Sequence, residues 1–293
     1  MRQQMGDQVP DSDAEPVQPL PAGLEPDVAE WLEMGEAFAQ ADSASAVAEQ
    51  PGNPLGGAVQ EIDGAIAVGL TLIDFWFFNR VVGMGVRQPV TPATLAAVED
   101  FYAGLGLRQG AIHVANGAQP ADFPRLLAEG GWTQGGRWVK MWHDLASIDP
   151  VADGVRIERI GPEAREAYGD IVMTTFEMPD PVRPIATATV GRPGWSHYLG
   201  YEGDAAVAVA ALYVRDGVGW LGFGGTLPEH RGKGWQTAMF LQRLADARSA
   251  GCRFAVTETG EETEKDPVNH SYRNMVRTGF KLGYARRNWY RLG

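Results

Sequence analysis

The sequence predicts an α/β protein built from two similar units in tandem. Its 293 residues suffice for about two domains. Hydrophobic residues make up 44% of the chain and aromatic residues 10%, which supplies a core and excludes disorder of the chain as a whole. Strand-like and helix-like patterns alternate, and the order found in the first half of the chain returns in the second.

The first half opens with a polar segment and continues as helices and strands. Residues 1–23 are rich in Gln, Pro and Asp without periodicity, and we expect a disordered acidic tail there. From Leu24 to about Glu49, apolar residues recur on one side of a helix with acids between them. The remaining patterns predict strands at 58–68, 72–84, 111–115 and 137–144, and helices at 92–104 and 121–129.

The second half repeats this order. Its patterns predict strands at 155–160, 197–201, 205–214, 219–227, 253–258 and 283–292, and helices at 162–176, 234–249 and 269–278. Gly83-Met84-Gly85 and Gly222-Phe223-Gly224 each end a strand before a helix, and Gly131-Trp132 and Gly279-Phe280 each end a second helix. We interpret the match as a distant internal repeat of one α/β unit, with chance similarity of two α/β segments as the alternative.

Acidic residues are concentrated near the N-terminus. The formal net charge is −12, and the first 50 residues hold eleven acids and a single base. This balance predicts a solvated tail and an acidic helix face, and it argues against nucleic-acid binding, which requires a basic surface. The sequence has no apolar run of about 18 residues and no signal-peptide pattern at its start, so we expect a cytoplasmic protein without a membrane partner.

The sequence predicts neither a disulfide framework nor a metal centre. Cys252 is the single cysteine, which excludes an internal disulfide and a cysteine-based zinc site. The His, Asp and Glu residues do not cluster with the spacing of metal ligands, so we expect no metal.

The segment Thr226–Thr237 carries the clearest functional signal, because it joins a predicted strand to an amphipathic helix. Glycines at 232 and 234 let backbone N–H groups lie close together without Cβ obstruction. The helix begins directly after them, so its unpaired N–H groups and positive dipole end face the same point. Arg231 and Lys233 add positive charge. The segment predicts an anion site suited to a pyrophosphate, and the alternative is a pair of cap glycines with incidental basic neighbours.

Two common nucleotide-binding motifs do not fit this segment. A Walker A loop requires Ser or Thr after Gly-Lys, but Gly234 follows Lys233, and Leu227 occupies the third glycine position of a Rossmann fingerprint. The remaining pattern is Arg-x-x-Gly-x-Gly/Ala, present at residues 231–236 with glutamine at the last position. With this pattern the sequence resembles the GNAT acetyltransferase superfamily. Residues 269–280 are similar to the fourth helix of that superfamily, which ends in Gly-Phe.

The resemblance implies two tandem GNAT-like domains, each a mixed, mostly antiparallel sheet flanked by helices. It places a degenerate copy at 24–150, whose loop 86–92 contains prolines and lacks Gly-x-Gly, and a catalytic copy at 151–293. It also implies that the second copy binds acetyl-CoA as co-substrate, with the pyrophosphate on the glycine loop. The implied cofactor-binding residues are Gly225, Thr226, Leu227, Arg231, Gly232, Lys233, Gly234, Trp235, Gln236, Thr237, Asn269 and Asn274.

The resemblance further implies transfer of an acetyl group from acetyl-CoA to a primary amine, by direct attack in a ternary complex. The amine must lose a proton before it attacks, because amine pKa values lie at about 10. The family often carries an acid on the strand before the loop, but residues 220–226 contain no carboxylate. We therefore consider Glu258 and Glu177 as general-base candidates, with His197 as a further alternative.

Protonation of the leaving thiolate has no direct counterpart in this sequence. The family's usual tyrosine lies four residues before the glycine of Gly-Phe, where this sequence has Met275. Tyr272 and Ser271 are the candidate donors instead. A backbone N–H of the strand that ends at Thr226 would hold the oxyanion, and the adjacent glycines would permit an irregular strand there.

The missing tyrosine and the missing strand carboxylate leave two alternatives open. The first is a non-catalytic CoA-binding or sensory module. The second is an acyltransferase that uses a longer acyl-CoA, with residues 222–225 as the floor of the acyl site. The expected acceptor is a small-molecule amine, and the expected assembly is a monomer or a homodimer.

Overall fold

The structure is a computed structural model that describes residues 14–73, 75–263 and 267–292. Seven α-helices and eleven β-strands lie within these residues. None of the described helices is both long and apolar enough to cross a membrane. Within the same residues, no group of three or more His, Cys, Asp or Glu side chains is placed to hold a metal ion.

The described residues form two compact units. The C-terminal unit comprises residues 141–282, and the N-terminal unit comprises the described residues on either side of it. The boundaries fall inside two strands, β5 (Thr133–His143) and β11 (Lys281–Arg291). The predicted domains meet at 150/151 and keep the last strand with the second copy, so the packing divides the chain differently from the predicted repeat.

The N-terminal unit is a mixed sheet with flanking helices. Besides strands β5 and β11, its elements are α1 (Pro26–Ala48), β1 (Gly57–Ile62), β2 (Ala65–Leu70), β3 (Arg80–Met84), α2 (Pro92–Gly104), β4 (Gly110–Val114) and α3 (Phe123–Glu129). The strands lie in the order β1-β2-β3-β4-β11-β5. β3 and β4 pair in parallel, whereas β1 with β2, β2 with β3, and β4 with β11 pair antiparallel.

Two strands predicted for this unit differ in extent from the structure. Residues 58–68 form a hairpin instead of one strand, because Asp63-Gly64 has positive φ values of 47° and 77° and turns the chain between β1 and β2. The aromatic run predicted as the start of the next strand is a loop. The side chain of Asn79 accepts from Leu70 N at 2.8 Å and donates to Ile73 O at 2.9 Å, which closes this loop before β3 begins.

Residues 14–20 are hydrogen-bonded to the N-terminal unit, although their composition predicts part of a disordered tail. Val17 N donates to Ala121 O at 2.8 Å, and Gly117 N donates to Gln18 O at 2.7 Å. These backbone hydrogen bonds to a neighbouring segment outweigh the polar composition. The first thirteen residues of the predicted tail lie outside the described residues.

Helix α1 buries carboxylates that the sequence places on a solvated face. Glu33 and Glu36 are both fully buried. Glu36 Oε2 lies 2.8 Å from Lys140 Nζ and 2.7 Å from Arg286 Nη1. Glu36 Oε1 lies 3.3 Å from Arg80 Nη1. Burial opposes ionisation, but these three cations hold the pKa of Glu36 well below its ordinary value. The acidic helix therefore forms part of the core of its unit.

The C-terminal unit has the same kind of architecture. Its elements are β6 (Arg156–Ile160), α4 (Arg165–Thr175), α5 (Arg183–Thr187), β7 (Trp195–Glu202), β8 (Ala205–Arg215), β9 (Val218–Thr226), α6 (Trp235–Ser249), β10 (Phe254–Gly260) and α7 (His270–Arg277). The strands lie in the order β6-β7-β8-β9-β10, and of these pairs only β9 with β10 is parallel.

The sheet of the C-terminal unit has a packed core on each face. Tyr198 and Ala210 belong to one cluster with residues of α6, whereas Leu199 and Val209 belong to another with residues of α4. This separation follows from the alternation of side chains along a strand. In both units, antiparallel strands lead into one parallel pair whose members are connected by a helix. The predicted fold class, α/β with mixed, mostly antiparallel sheets flanked by helices, is confirmed.

Candidate cofactor and active site

Strands β9 and β10 are paired only near their starts. Their parallel register begins at Phe254↔Val218, and its last pair is Val256↔Trp220. Six residues of β9 and four of β10 follow that pair. Among the described residues, no further pair joins the two strands. Leu221 O accepts from Thr257 Oγ1 of β10 at 2.8 Å. Since backbone groups need hydrogen-bond partners, the edge of β9 beyond Leu221 is available to an extended ligand.

Strand β9 is also irregular on the side of β8. The antiparallel register changes between Val209↔Gly225 and Ala211↔Gly222, so β9 has one residue more than β8 over this interval. Phe223 lies in the interval and has a φ of +49°. The irregular strand expected before the glycine loop is therefore present.

The glycines at both ends of this bulge are required by close contacts. A Cβ atom on Gly222 would lie 2.0 Å from the ring of Trp220. A Cβ atom on Gly225 would lie 2.5 Å from Cγ2 of Thr175, on helix α4. The backbone of β9 thus passes directly against neighbouring side chains on both sides.

The end of β9 is partly hydrogen-bonded to the neighbouring strand. Thr226 pairs with Ala208 of β8, and Leu227 N donates to Val207 O at 3.0 Å. Of the predicted cofactor-binding residues in this segment, Leu227 therefore has its backbone N–H occupied by a protein carbonyl.

The glycine loop leaves the N-terminus of α6 without a side-chain cap. Gly232 and Gly234 have φ values of +77° and +86°, which favour glycine, and Gly234 is the N-cap residue. A Cβ atom on either glycine would meet no atom within 4 Å. Gln236 and Thr237 lie in the first turn, where N–H groups have no partner inside the helix. The side chain of Trp235 is buried, so its backbone alone faces the loop. An open, uncapped helix N-terminus of this kind binds anions.

The basic residues of the loop are held by protein acceptors. Lys233 Nζ donates to the two carboxylate oxygens of Glu202 at 2.7 and 2.9 Å. His230 Nδ1 lies 2.6 Å from Glu202 Oε2. The hydrogen bonds from Lys233 and His230 hold the pKa of Glu202 below its ordinary value. Arg231 Nε donates to Thr226 O at 3.2 Å, which ties the loop to the end of β9.

Side chains at the starts of α6 and α7 are hydrogen-bonded to one another. Gln236 Nε2 donates to Ser271 Oγ at 3.1 Å, and Asn274 Nδ2 donates to Gln236 Oε1 at 2.6 Å. Asn269 caps α7 by accepting from Tyr272 N at 3.0 Å. These contacts bring five of the predicted site residues together, and cofactor contacts by Asn269, Asn274 and Gln236 stay a prediction.

Glu258 lies where β9 and β10 separate. It is two residues beyond the last paired residue of β10, and its side chain is half-buried. Trp220 Nε1 donates to both carboxylate oxygens of Glu258, at 3.1 and 3.2 Å. The next residue, Thr259, accepts from Asn269 Nδ2 at 3.1 Å, which places Glu258 close to the start of α7.

The second carboxylate considered as a general base lies at the end of helix α4. Glu177 follows the C-terminus of α4, is exposed and has a φ of +52°. Thr175, two residues earlier, lies against Gly225 of β9. The structure places Ser271 and Tyr272 near Glu258 through the contact of Asn269 with Thr259, and a role for Glu177 stays a prediction.

Two residues of interest were missed by sequence reasoning. Glu202 binds Lys233 from a strand 31 residues earlier in the chain, and no local pattern signals this contact. Arg243 is fully buried on α6 and donates to backbone carbonyls of β8 and β9. Its signal was available, because Arg243 falls three residues after Phe240, on the apolar stripe of the helix.

Three solved structures share this fold. A GCN5-related N-acetyltransferase from Kribbella flavida is 20% identical with a TM-score of 0.61, and the match covers 86% of this chain and 96% of that one. A GCN5-related N-acetyltransferase from Sphaerobacter thermophilus is 15% identical with a TM-score of 0.55, covering 94% and 96%. A tandem GNAT protein from the clavulanic acid biosynthesis pathway, without AcCoA, is 17% identical with a TM-score of 0.54, covering 88% and 95%. No family model matches the sequence, and no curated protein matches it significantly.

These comparisons confirm the fold that the sequence resemblance implies. The chain has the fold of the GNAT acetyltransferases, in the tandem form.

Proposed function

We propose that the protein is an N-acetyltransferase that moves an acetyl group from acetyl-CoA to a primary amine of a small molecule. One observation carries the proposal: the separated edge of β9 leads directly into an open, uncapped helix N-terminus. The strand edge offers hydrogen bonds to an extended chain of amides, and the helix N-terminus suits a diphosphate. Acetyl-CoA presents a pantetheine arm and a pyrophosphate in that order.

Glu258 is the proposed general base. Its carboxylate lies where β9 and β10 separate, and the indole of Trp220 orients it. The carboxylate takes a proton from the bound amine, and the amine nitrogen then forms a bond to the thioester carbon. The electron pair of the carbonyl moves to oxygen and returns as the C–S bond breaks, while the amide nitrogen loses its extra proton to solvent, which leaves a neutral amide and a CoA thiolate. Holding the amine beside the thioester supplies much of the acceleration.

Ser271 and Tyr272 are the proposed donors to that thiolate. Ser271 Oγ accepts a hydrogen bond from Gln236, so its own hydroxyl proton can point to another acceptor. Tyr272 is partly buried and packs against the core of the unit at the start of α7. Either group lies on the helix whose N-terminus is tied to the end of β10 by Asn269.

The two alternatives differ in their support. The methionine at 275 and the absence of a carboxylate from residues 220–226 support a CoA-binding module without turnover as the second candidate. A longer acyl chain is disfavoured, because Trp220 and Thr175 fill the space beside the glycines that would form its floor.

The cofactor site is tested by the thermal shift that acetyl-CoA produces in the full chain. Ligand at about a hundredfold over its Kd stabilises a protein by about 2.7 kcal/mol, which is roughly 5–10 °C for a unit of this size. Gly234→Asp places a carboxylate at the helix N-terminus and should abolish the shift. Gly251→Asp is the matched control, because Gly251 also has a positive φ (+80°) and open space around it, at the other end of α6. A shift that survives in Gly234→Asp contradicts the proposed site.

Turnover separates the enzyme from the binding module. Release of CoA thiol is followed with acetyl-CoA and a panel of small primary amines. We expect thiol release with at least one amine class, and a loss of the low-pH limb of the pH–rate profile in Glu258→Gln, because that limb reports deprotonation of the general base. Binding of acetyl-CoA without thiol release favours the non-catalytic module, and an unchanged pH profile in Glu258→Gln excludes this residue as the base.

A further inference from the structure

Arg243 is a buried cation directly against the irregular part of β9. Arg243 is 1% exposed to solvent. Nε donates to Met239 O at 2.9 Å, one turn earlier in α6. Nη1 donates to Ala211 O at 3.2 Å and to Gly222 O at 3.1 Å, on strands β8 and β9.

The two carbonyls that accept from Nη1 lie where the register of the sheet changes. Ala211 and Gly222 are the pair at which the register between β8 and β9 changes. At a bulge the regular ladder of hydrogen bonds is interrupted, so carbonyl groups lose their strand partners. Arg243 donates to a carbonyl on each side of the register change and thereby holds the bulge of β9 against β8.

Arg243 has no carboxylate partner among the described residues. Instead, its guanidinium carbon Cζ lies over the ring of Phe240, 4.9 Å from the ring centroid. Burial lowers the pKa of Arg243 to about 10, while Tyr198 and Tyr168 oppose this change, so the group is charged at neutral pH. A buried charge without a counter-ion costs stability, and such features persist where they serve a site.

The remaining nitrogen of this guanidinium faces the bulge. Nη2 is buried and has no hydrogen-bond partner within the part of the chain that the structure describes. A Cβ atom on Gly224 would lie 3.3 Å from it. Positive charge therefore lies immediately behind the backbone of residues 222–225, in the strand whose backbone N–H is expected to hold the oxyanion.

We propose that Arg243 is a positioning residue for acyl transfer, which holds the bulge of β9 and places a positive charge behind it. This inference rests on the proposed function. During transfer, negative charge forms on the carbonyl oxygen and then passes to sulfur as the C–S bond breaks. A fixed cation behind β9 stabilises both anionic species more than the neutral thioester, which lowers the barrier.

The thiol of bound CoA reports this charge without knowledge of the acceptor. CoA is bound to the full chain, and its thiolate is titrated by ultraviolet absorbance. A charge about 10 Å away, at an effective dielectric constant of about 20, changes ionisation roughly tenfold, so the thiol pKa of bound CoA should lie about 1 below that of free CoA.

A set of variants separates charge from structure. Arg243→Lys keeps the charge and should keep the lowered thiol pKa, whereas Arg243→Met and Arg243→Gln should lose it. Arg248→Met is the matched control, because Arg248 is exposed at the end of the same helix.

The outcomes distinguish this inference from the proposed function. Failure of CoA to bind the wild type contradicts the proposed function. Binding with a thiol pKa no lower than that of free CoA overturns the role of Arg243 and leaves the proposed function standing. That comparison needs the wild type alone, so it holds even when a variant does not fold. An equally lowered thiol pKa in Arg243→Met or Arg243→Gln also overturns the inference.

Discussion

Replacing Glu202 by Gln should strengthen the binding of acetyl-CoA. The carboxylate of Glu202 accepts from Lys233 Nζ at 2.7 and 2.9 Å and lies 2.6 Å from His230 Nδ1. These hydrogen bonds hold the pKa of Glu202 low, so it is negatively charged at neutral pH. A diphosphate bound on the loop would face the same carboxylate. Gln keeps the size of the side chain but removes the charge, so Lys233 is released to the ligand and a repulsion disappears.

The expected size of this effect follows from the distances and the exposure. The side chains of Glu202, Lys233 and His230 are 44%, 48% and 22% exposed, so solvent screens their charges. Two unit charges about 4 Å apart in bulk water interact by the equivalent of roughly a fivefold change in an equilibrium constant. We expect the Kd to fall by about three- to tenfold at low salt. At about 1 M salt, where the screening length is about 3 Å, the change should be less than about twofold.

Calorimetric titration with acetyl-CoA at both salt concentrations measures this effect. Glu158→Gln is the matched control, because Glu158 is 45% exposed and pairs with Arg156 at 2.7 Å on strand β6 of the same unit. Both variants change the net charge equally, so a general electrostatic effect would appear in both. If Glu202→Gln and Glu158→Gln change the Kd by the same factor, or if Glu202→Gln weakens binding, the glycine loop is not the pyrophosphate site.

Two further predictions concern stability. Burial lowers the pKa of His197 from 6.5 to about 3. Below pH 6.5 the unfolded chain binds a proton at this residue that the folded chain excludes, so the stability of the fold is unaffected above pH 6.5 and falls as the pH is lowered from there. Denaturant titrations should show that His197→Gln loses about 3 kcal/mol less stability than the wild type between pH 6.5 and 4, and an equal loss in the two proteins would contradict this role of His197. Glu36→Gln removes a carboxylate from three buried cations and should lower the unfolding free energy by about 3–5 kcal/mol in thermal or urea unfolding. Glu30→Gln, on the exposed side of α1, should cost less than about 1 kcal/mol, and similar small losses in both variants would contradict the buried network.

Elements with strong local signals were predicted within a few residues. Helix α2 spans Pro92–Gly104 as predicted, because Thr91 provides an N-cap and proline suits the first helical position. Helix α6 begins one residue after its predicted start, directly behind the positive-φ glycine at 234. Caps, turns and backbone conformations depend on residues that are close in sequence, so a pattern over a few positions reveals them.

Contacts between distant segments were not predictable in the same way. The sequence predicts a solvated face for the acids of α1. The buried partner of Glu36 is Lys140, which lies 104 residues away, so no local pattern indicates the contact. Polar composition likewise concealed the hydrogen bonds of residues 14–20. Strand β11 lies between β4 and β5 in the N-terminal unit, although it follows the helices of the C-terminal unit in sequence. Each of these features depends on tertiary partners that no local pattern encodes.

The starts of α2 and α6 explain why we expect acetyl-CoA in the C-terminal unit alone. At α2, Thr91 Oγ1 accepts from Thr94 N at 3.1 Å, and Thr94 Oγ1 accepts from Thr91 N at 3.0 Å. This capping box gives two N–H groups at the start of the helix acceptors from within the chain.

At α6 the equivalent position is Gly234, which has no side chain to cap the helix. A side-chain cap contributes about 1 kcal/mol, and α6 lacks that contribution. Its N–H groups and dipole are thus left for an anion, whereas at α2 the N–H of Thr94 already has an acceptor in the capping side chain. Two copies of one strand–helix unit can therefore differ in ligand binding through the residue at a single helix cap.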